Sequence, residues 1–290
     1  MKVESKIHDI IYSKMNELLQ KMLNDFDGNY KNKANNWILF KFDSSIIANM
    51  VFVSSFESKY GNMFEEIARE ITKITYGEEN VPDTIKGQGI SDEEYEDYLK
   101  TFNKSGQYVI SKFDKKENDG YISQFRADRK SSGRGKNRTP SSLKQDVLRE
   151  LLEDSPKYSE NIVSQPVDLL FYDSNMDEYN IFEIKAGGDL DSSNAPKNVE
   201  KLLKIYASLG KSNSKAYFAT LYNKQGEGNH WTGVVKGHLN DDLLLISKDF
   251  WEKILGDVSF DEFKDIYQCV FEELGFNTEM KNLITKTAQD

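Results

Sequence analysis

The sequence predicts an α/β fold, a mixed β-sheet flanked by helices, and three observations predict it. The first is a hairpin. Pro166-Val167-Asp168-Leu169-Leu170-Phe171-Tyr172 and Tyr179-Asn180-Ile181-Phe182-Glu183-Ile184-Lys185 read as two strands, joined by the turn-forming run Asp173-Ser174-Asn175-Met176-Asp177. The second is the order strand, helix, strand across residues 166–222, which suits a sheet with crossover connections. The third is a pair of amphipathic helices, over residues 4–26 and 260–274, whose apolar side chains recur at helical spacing.

Taken in order, the first helix carries Ile7, Ile10, Ile11, Met15, Leu18, Leu19 and Met22, and Asp27-Gly28-Asn29 is expected to stop it. Residues 37–42 are a short apolar run, and residues 46–56 read as a strand or a buried helix. A helix over 63–75 shows a stripe of Phe64, Ile67, Ala68, Ile71 and Ile74, with Glu65 and Glu66 in its first turn. Residues 77–98 are acidic, and Ser91-Asp92-Glu93-Glu94 has the form of a capping box. A strand is expected over 107–113 and a helix over 142–153, with Ser142 and Gln145 as its capping box. Beyond the hairpin, Asn194 is expected to cap a helix with Pro196 in its first turn, its inner face formed by Val199, Leu202, Leu203, Tyr206 and Leu209. Residues 215–222 read as a strong strand, 232–235 and 243–246 as weaker ones, and 250–255 as helix. The whole reads as a single catalytic domain, 1–290, with a helical N-terminal part, 1–105, and a core at about 106–275.

Composition narrows the function. The 38% hydrophobic and 12% aromatic content supports a substantial core, while a net charge of −10 means that the whole-chain field repels polyanions. A nucleic-acid site must then be a local basic patch. One stretch qualifies: Arg126, Arg129, Lys130, Arg134, Lys136, Arg138 and Lys144 stand against the single acid Asp128, around the flexible Ser131-Ser132-Gly133-Arg134-Gly135. Lys197, Lys201 and Lys204, expected on the outer side of their helix, are a second basic surface. The lone Cys269 excludes a disulfide framework and a cysteine zinc site, and His8, His230 and His238 are too dispersed for a metal-ligand spacing. With no apolar N-terminal run or bilayer-length segment, the expected setting is cytoplasmic, with no membrane partner.

The hairpin holds an electrostatic conflict. Asp168, Glu183 and Lys185 lie on strands that otherwise read as buried, and burying charge is costly unless it is paired or binds a metal. Adjacent strands lie roughly 4.8 Å apart, so a paired register brings the two carboxylates together. A hard cation such as Mg²⁺ would suit them, because it is commonly bound by one or two carboxylates plus substrate phosphate. Lys185, on the face of Glu183, would sit where it can orient a water or stabilise charge on a phosphate. The competing reading is a chance triplet on a surface strand.

Asp168…Glu183-Ile184-Lys185 resembles the catalytic signature of the PD-(D/E)xK nuclease superfamily, with Val167 set between Pro166 and the aspartate. The longer run Glu183-Ile184-Lys185-Ala186-Gly187-Gly188-Asp189-Leu190-Asp191…Asn194-Ala195-Pro196 resembles type II restriction endonucleases, most closely the group that cuts GG-N-CC sites. Ser55…Gly61-Asn62-Met63-Phe64-Glu65-Glu66-Ile67-Ala68 resembles the upstream helix of several such enzymes, in which one glutamate faces the metal; Glu65 fits better than Glu66. The resemblance implies a restriction-endonuclease-like core in which Asp168, Glu183 and the Ile184 carbonyl bind Mg²⁺. Lys185 attends the attacking water and Glu65 completes the site. It further implies a homodimer on double-stranded DNA, 5′-phosphate products, and arginine or lysine contacts to guanine, for which Arg126, Arg129, Lys130, Arg134, Lys136 and Arg138 are the candidates. The alternatives are a non-specific repair or recombination nuclease of the same superfamily and a non-enzymatic DNA-binding protein.

Overall fold

The computed structural model describes residues 2–133, 139–153, 156–187 and 190–289, with helices at both ends and the strands between them. The elements are α1 (Val3–Ala34), α2 (Ser44–Tyr76), β1 (Thr84–Lys86), α3 (Asp92–Leu99), β2 (Gln107–Phe113), α4 (Lys115–Asp128), α5 (Gln145–Leu148), α6 (Glu150–Glu153), β3 (Tyr158–Val167), β4 (Leu169–Asp173), β5 (Glu178–Lys185), α7 (Asn194–Leu209), β6 (Ser214–Thr220), β7 (Leu244–Ile246), α8 (Lys248–Leu255), α9 (Phe260–Glu273) and α10 (Phe276–Gln289). The predicted α/β class with mixed sheets and flanking helices is what is found. By internal contacts the chain forms two units, Met1–Ile71 with Leu255–Asp290, and Thr72–Ile254. Residues 72–105 thus group with the strands and not with the N-terminal helices.

The first unit is helical. α1 buries Ile7, Ile11, Met15, Leu18, Leu19, Met22 and Phe26, the stripe expected from its sequence. It does not stop at Asp27-Gly28-Asn29 but runs on to Ala34. Glycine inside a helix costs only about 1 kcal/mol, and Phe26, Tyr30 and Ala34 offset that by packing with Ile47, Ala48, Val51, Leu283 and Ile284. α2 is likewise continuous through Ser54, Ser55 and Gly61, where the sequence predicts a break. Phe52, Phe56, Tyr60 and Phe64 stack in succession four residues apart, with ring centroids 5.5, 4.8 and 4.7 Å apart, a ladder that exists only if the helix is unbroken. Ser54 Oγ turns back onto the Met50 carbonyl, so its hydroxyl does not end the helix. In α9 the Ser259–Glu262 capping box is complete.

The second unit holds two sheets. One has the order β1-β2-β3, the other β4-β5-β6-β7. β4 and β5 are the predicted hairpin, antiparallel, with Leu169 opposite Phe182 and Asp173 opposite Glu178. β5, β6 and β7 run parallel, with α7 as the crossover between the first two. β5 is buried almost throughout, as parallel strands covered on both faces are. α7 packs on β5 and β6 through Val199, Leu202, Leu203 and Tyr206.

The chain leaves the first sheet at Val167 and enters the second at Leu169, so Asp168 stands at the junction. Gln107 fastens that junction. It pairs with Val167 in the first sheet. Its buried amide accepts from Leu170 N and donates to Leu170 O, both at 2.8 Å, along the outer edge of β4 in the second sheet.

Several elements differ from the expectation. Residues 234–237 form a 3₁₀ turn, not a strand. Residues 142–153 break into α5 and α6, and Ser142 caps neither; Gln145 spends its side chain on Ala216 and Asp242 instead. α7 is capped from Asp191, whose carboxylate accepts from Ser193 N and Asn194 N at 2.8 and 2.7 Å, and not from Asn194. α4, β1 and α10 are not among the elements expected from the sequence; of these, α10 carries a helical stripe of Phe276, Met280, Leu283 and Ile284.

Replacing Gln107 with Leu should lower unfolding free energy by about 2–4 kcal/mol in a urea titration, because it strands a buried amide N–H and carbonyl of Leu170. An unchanged midpoint would mean that the junction is held by strand pairing alone.

Candidate active site

The β4–β5 register continues one step past Leu169–Phe182 and places Asp168 opposite Glu183. Glu183 is fully buried, with Phe218 of β6 on its other side. Two lysines answer the two carboxylates. Lys185 Nζ lies 2.6 Å from Glu183 Oε1 and 3.4 Å from Asp168 Oδ2. Lys201 Nζ, from α7, lies 2.5 Å from Glu183 Oε2 and 2.9 Å from Asp168 Oδ1. Each ammonium thus touches both carboxylates, and the four groups close a ring. Ile184 N donates to Asp168 Oδ2 at 2.8 Å, and the Ile184 carbonyl accepts from Lys185 Nζ at 2.8 Å. The lysine side chains keep about a third of their surface in water while Glu183 keeps almost none, so the ring opens to solvent on its ammonium side.

Burial alone would push both carboxyls up. At Asp168 the charges of Lys185 and Lys201, with the hydrogen bonds from Lys201 and Ile184 N, outweigh it and hold the group below its ordinary range. At Glu183 burial and the neighbouring Asp168 charge prevail over the lysines, and its pKa is raised. Lys201 is desolvated too, but the two carboxylates raise it above an ordinary lysine.

The donor set fits a hard divalent cation. Both Glu183 oxygens are buried, and the charges that meet them are the ammonium groups of Lys185 and Lys201, at 2.6 and 2.5 Å. Two desolvated carboxylates side by side call for cations, and a divalent ion with oxygen ligands answers the same need. Among the described residues no three His, Cys, Asp or Glu side chains cluster as a metal site. A cation here would rest on two carboxylates and the Ile184 carbonyl, with the remaining positions left for water or substrate.

The surrounding loops are built for close approach. A Cβ on Gly187 would meet the Tyr222 ring at 2.6 Å, so glycine is what lets that ring lie over the end of β5. Leu221 N and Tyr222 N both donate to Ala186 O, and Trp231 Nε1 donates to Gly187 O at 3.3 Å. The carboxylate–lysine ring therefore sits at the C-terminal end of β5, the end at which open α/β sheets usually bind ligands. Gly188 and Asp189 lie outside the described residues.

Asp168, Glu183, Ile184 and Lys185 thus come together as the sequence suggests. Lys201 does so too, although its spacing puts it on the outer face of the helix. The one signal for it is Ile205, a turn further along, which is also buried and shows that α7 is covered on more than its main stripe. Lys204 instead pairs with Asp119 at 2.5 Å, and Lys197 is exposed. Glu65 lies half-buried on α2, in the first unit, and Glu66 beside it pairs with Lys14 at 2.8 Å.

The expectation of a free basic loop from residue 126 is corrected at its start. Arg126 is helical and pairs with Glu200 at 2.9 Å, which also accepts from Ser123 Oγ. It lies 3.0 Å from His238 Nδ1, and burial with this guanidinium pushes the His238 pKa down to about 4. Arg129 caps α4, reaches Glu150 at 2.5 Å and lies 3.7 Å above the Phe125 ring. These two arginines are engaged in ion pairs within the chain, Arg126 partly buried and Arg129 nearer the surface. Lys130 is exposed, and Arg134, Lys136 and Arg138 lie outside the described residues.

Replacing Asp168 with Asn should lower stability near neutral pH by on the order of 1–3 kcal/mol, since it leaves Lys185 and Lys201 short of a buried partner. The folded carboxyl is held below its usual value. Its contribution is therefore complete above about pH 4 and lost as pH falls through the depressed value. Unfolding curves of the two proteins should converge in acid; a constant gap down to about pH 2 would contradict the assignment.

Compared with protein families, residues 3–270 match the family described as type II restriction endonuclease, HinfI. Comparisons with curated proteins and with solved structures gave no match. The family match bears out the restriction-endonuclease resemblance and lends no support to the GG-N-CC site. It spans both units, including the whole of the Asp168–Glu183–Lys185–Lys201 ring. The chain therefore belongs to the HinfI family of type II restriction endonucleases and is a site-specific deoxyribonuclease, a hydrolase whose substrate is DNA.

Proposed function

We propose that Asp168, Glu183 and Lys185 are the hydrolytic centre of this enzyme and that it depends on Mg²⁺. The observation that supports this reading is the pair of ladder-opposed carboxylates, one with both oxygens buried and met by lysine ammonium groups, one of these lysines on the same strand. Asp168, Glu183 and the Ile184 carbonyl would hold the ion. When bound, Mg²⁺ would polarise a phosphate oxygen and stabilise the charge that builds there. Lys185, with its ammonium on the solvent side of Glu183, would orient the attacking water and donate to the phosphate. Water adds to phosphorus as the bond to the 3′ oxygen breaks. That oxygen leaves as a hydroxyl, and the phosphate stays on the 5′ side.

Glu65 is proposed as a third acidic contributor, on the resemblance of its helix. A palindromic target calls for a two-fold protein, so the working enzyme is read as a homodimer. The GG-N-CC site is proposed from the run that follows Glu183 alone. Lys130, Arg134, Lys136 and Arg138 are the proposed DNA contacts; Arg126 and Arg129 are not among them, because they are paired with Glu200 and Glu150.

Plasmid DNA incubated with Mg²⁺ should give discrete fragments, and none with a chelator; sequencing of the ends should show 5′-phosphates and GG-N-CC. A smear would count against site specificity, and a different sequence at every end would remove GG-N-CC only. Asp168→Ala, Glu183→Ala and Lys185→Ala should each cut at least roughly 10²- to 10³-fold more slowly while still binding DNA with Ca²⁺. Glu65→Ala cutting at the wild-type rate would dismiss Glu65.

Replacing Arg134, Lys136 and Arg138 together with Ala should weaken duplex binding. It should also flatten the slope of log K against log salt by about 0.9 for each phosphate that the protein no longer neutralises. An unchanged slope would place the loop off the DNA.

A further inference from the structure

Lys201 does not belong to the Glu-x-Lys motif, yet it approaches the carboxylates at least as closely as Lys185 does. Its ammonium lies 2.5 Å from Glu183 Oε2 and 2.9 Å from Asp168 Oδ1, the oxygens that Lys185 leaves uncovered. With both lysines in place, two positive charges meet two negative ones and the ring is neutral. A divalent cation added to that ring would create a strong local positive excess in a partly desolvated pocket, at distances where unit charges interact by several kcal/mol at an effective dielectric near 20. It would also need the very oxygens that Lys201 covers. α7 anchors the lysine's backbone through Val199, Leu202 and Ile205, all buried, so only the flexible side chain can give way.

We propose that Lys201 is a positioning residue that acts as the resident counter-ion of the Asp168–Glu183 pair: it holds the two carboxylates together before a divalent cation binds, and its ammonium must be displaced for the cation to enter. The proposal rests on the reading of Asp168 and Glu183 as cation ligands. Lys201 therefore competes with the metal, which a lysine of purely structural value would not do. It holds the carboxylates in register in the metal-free protein, and it sets how much free cation the enzyme needs. The released ammonium is then available to the anion that the site receives, a DNA phosphate.

The test measures Mn²⁺ binding to the full-length protein without DNA, by the fall of the free-ion signal in electron paramagnetic resonance, together with thermal melting. Lys201→Met and Lys201→Gln should bind Mn²⁺ at least about tenfold more tightly than wild type, since the competitor is gone. Both should melt lower than wild type without metal and gain more from added Mn²⁺. Lys201→Arg, which restores the charge, should return the affinity towards the wild-type value. Wild-type binding that Asp168→Asn abolishes, with the Met and Gln variants binding no more tightly, overturns the role of Lys201 and leaves the metal site standing. Absence of Mn²⁺ binding in wild type and all variants overturns the metal site, and this proposal with it.

Discussion

The structure depends on keeping two carboxylates ionised, side by side, where water barely reaches. Each desolvated ion costs several kcal/mol, and like charges add to that. Two ammonium groups balance Asp168 and Glu183, and the main chain adds Ile184 N as a donor to Asp168. Every element nearby serves that arrangement. The antiparallel hairpin opposes the acids, the parallel partner β6 shuts off the far side of Glu183, and α7 lays Lys201 across the opening. Replacing a buried ionic cluster with apolar side chains is often neutral or even stabilising, so stability alone does not account for this one. A buried ionic cluster at a strand end is therefore better read as retained for chemistry than for stability.

Much of this is visible in the residues. A strand that is otherwise apolar advertises its charged positions, because alternation fixes which face they take. Asp168, Glu183 and Lys185 can be placed from that alone, and the hairpin turn sets the register. Lys201 is hidden because a helical pattern reports the main buried stripe and is silent about a long side chain that folds back over a sheet. The breaks expected at Gly28 and at Ser54–Asn62 fail for a related reason. Local preferences there are worth about 1 kcal/mol, and tertiary packing, such as the Phe52–Phe64 ladder, is worth more. Composition likewise marks Arg126 and Arg129 as free cations, but charge counting along a sequence cannot see Glu200 or Glu150, which lie 74 and 21 residues away.

The acidity of the chain takes on a meaning beside this. A body with net charge −10 repels DNA at long range, so attraction must come from groups placed close to the groove. A neutral carboxylate–lysine ring adds nothing to that repulsion, whereas a bare acidic pair would. Balance inside the ring thus removes one source of that repulsion.

Asp168 and Glu183 are mounted differently. Glu183 is embedded in the middle of a sheet, with strands on either side, while Asp168 belongs to neither strand and sits at the joint where the chain changes sheets, braced by Gln107 one residue pair away. Two different parts of the fold therefore set the spacing of the carboxylates: the strand ladder around Glu183, and the joint at Asp168, where the bond from Ile184 N and the Gln107 brace hold the chain.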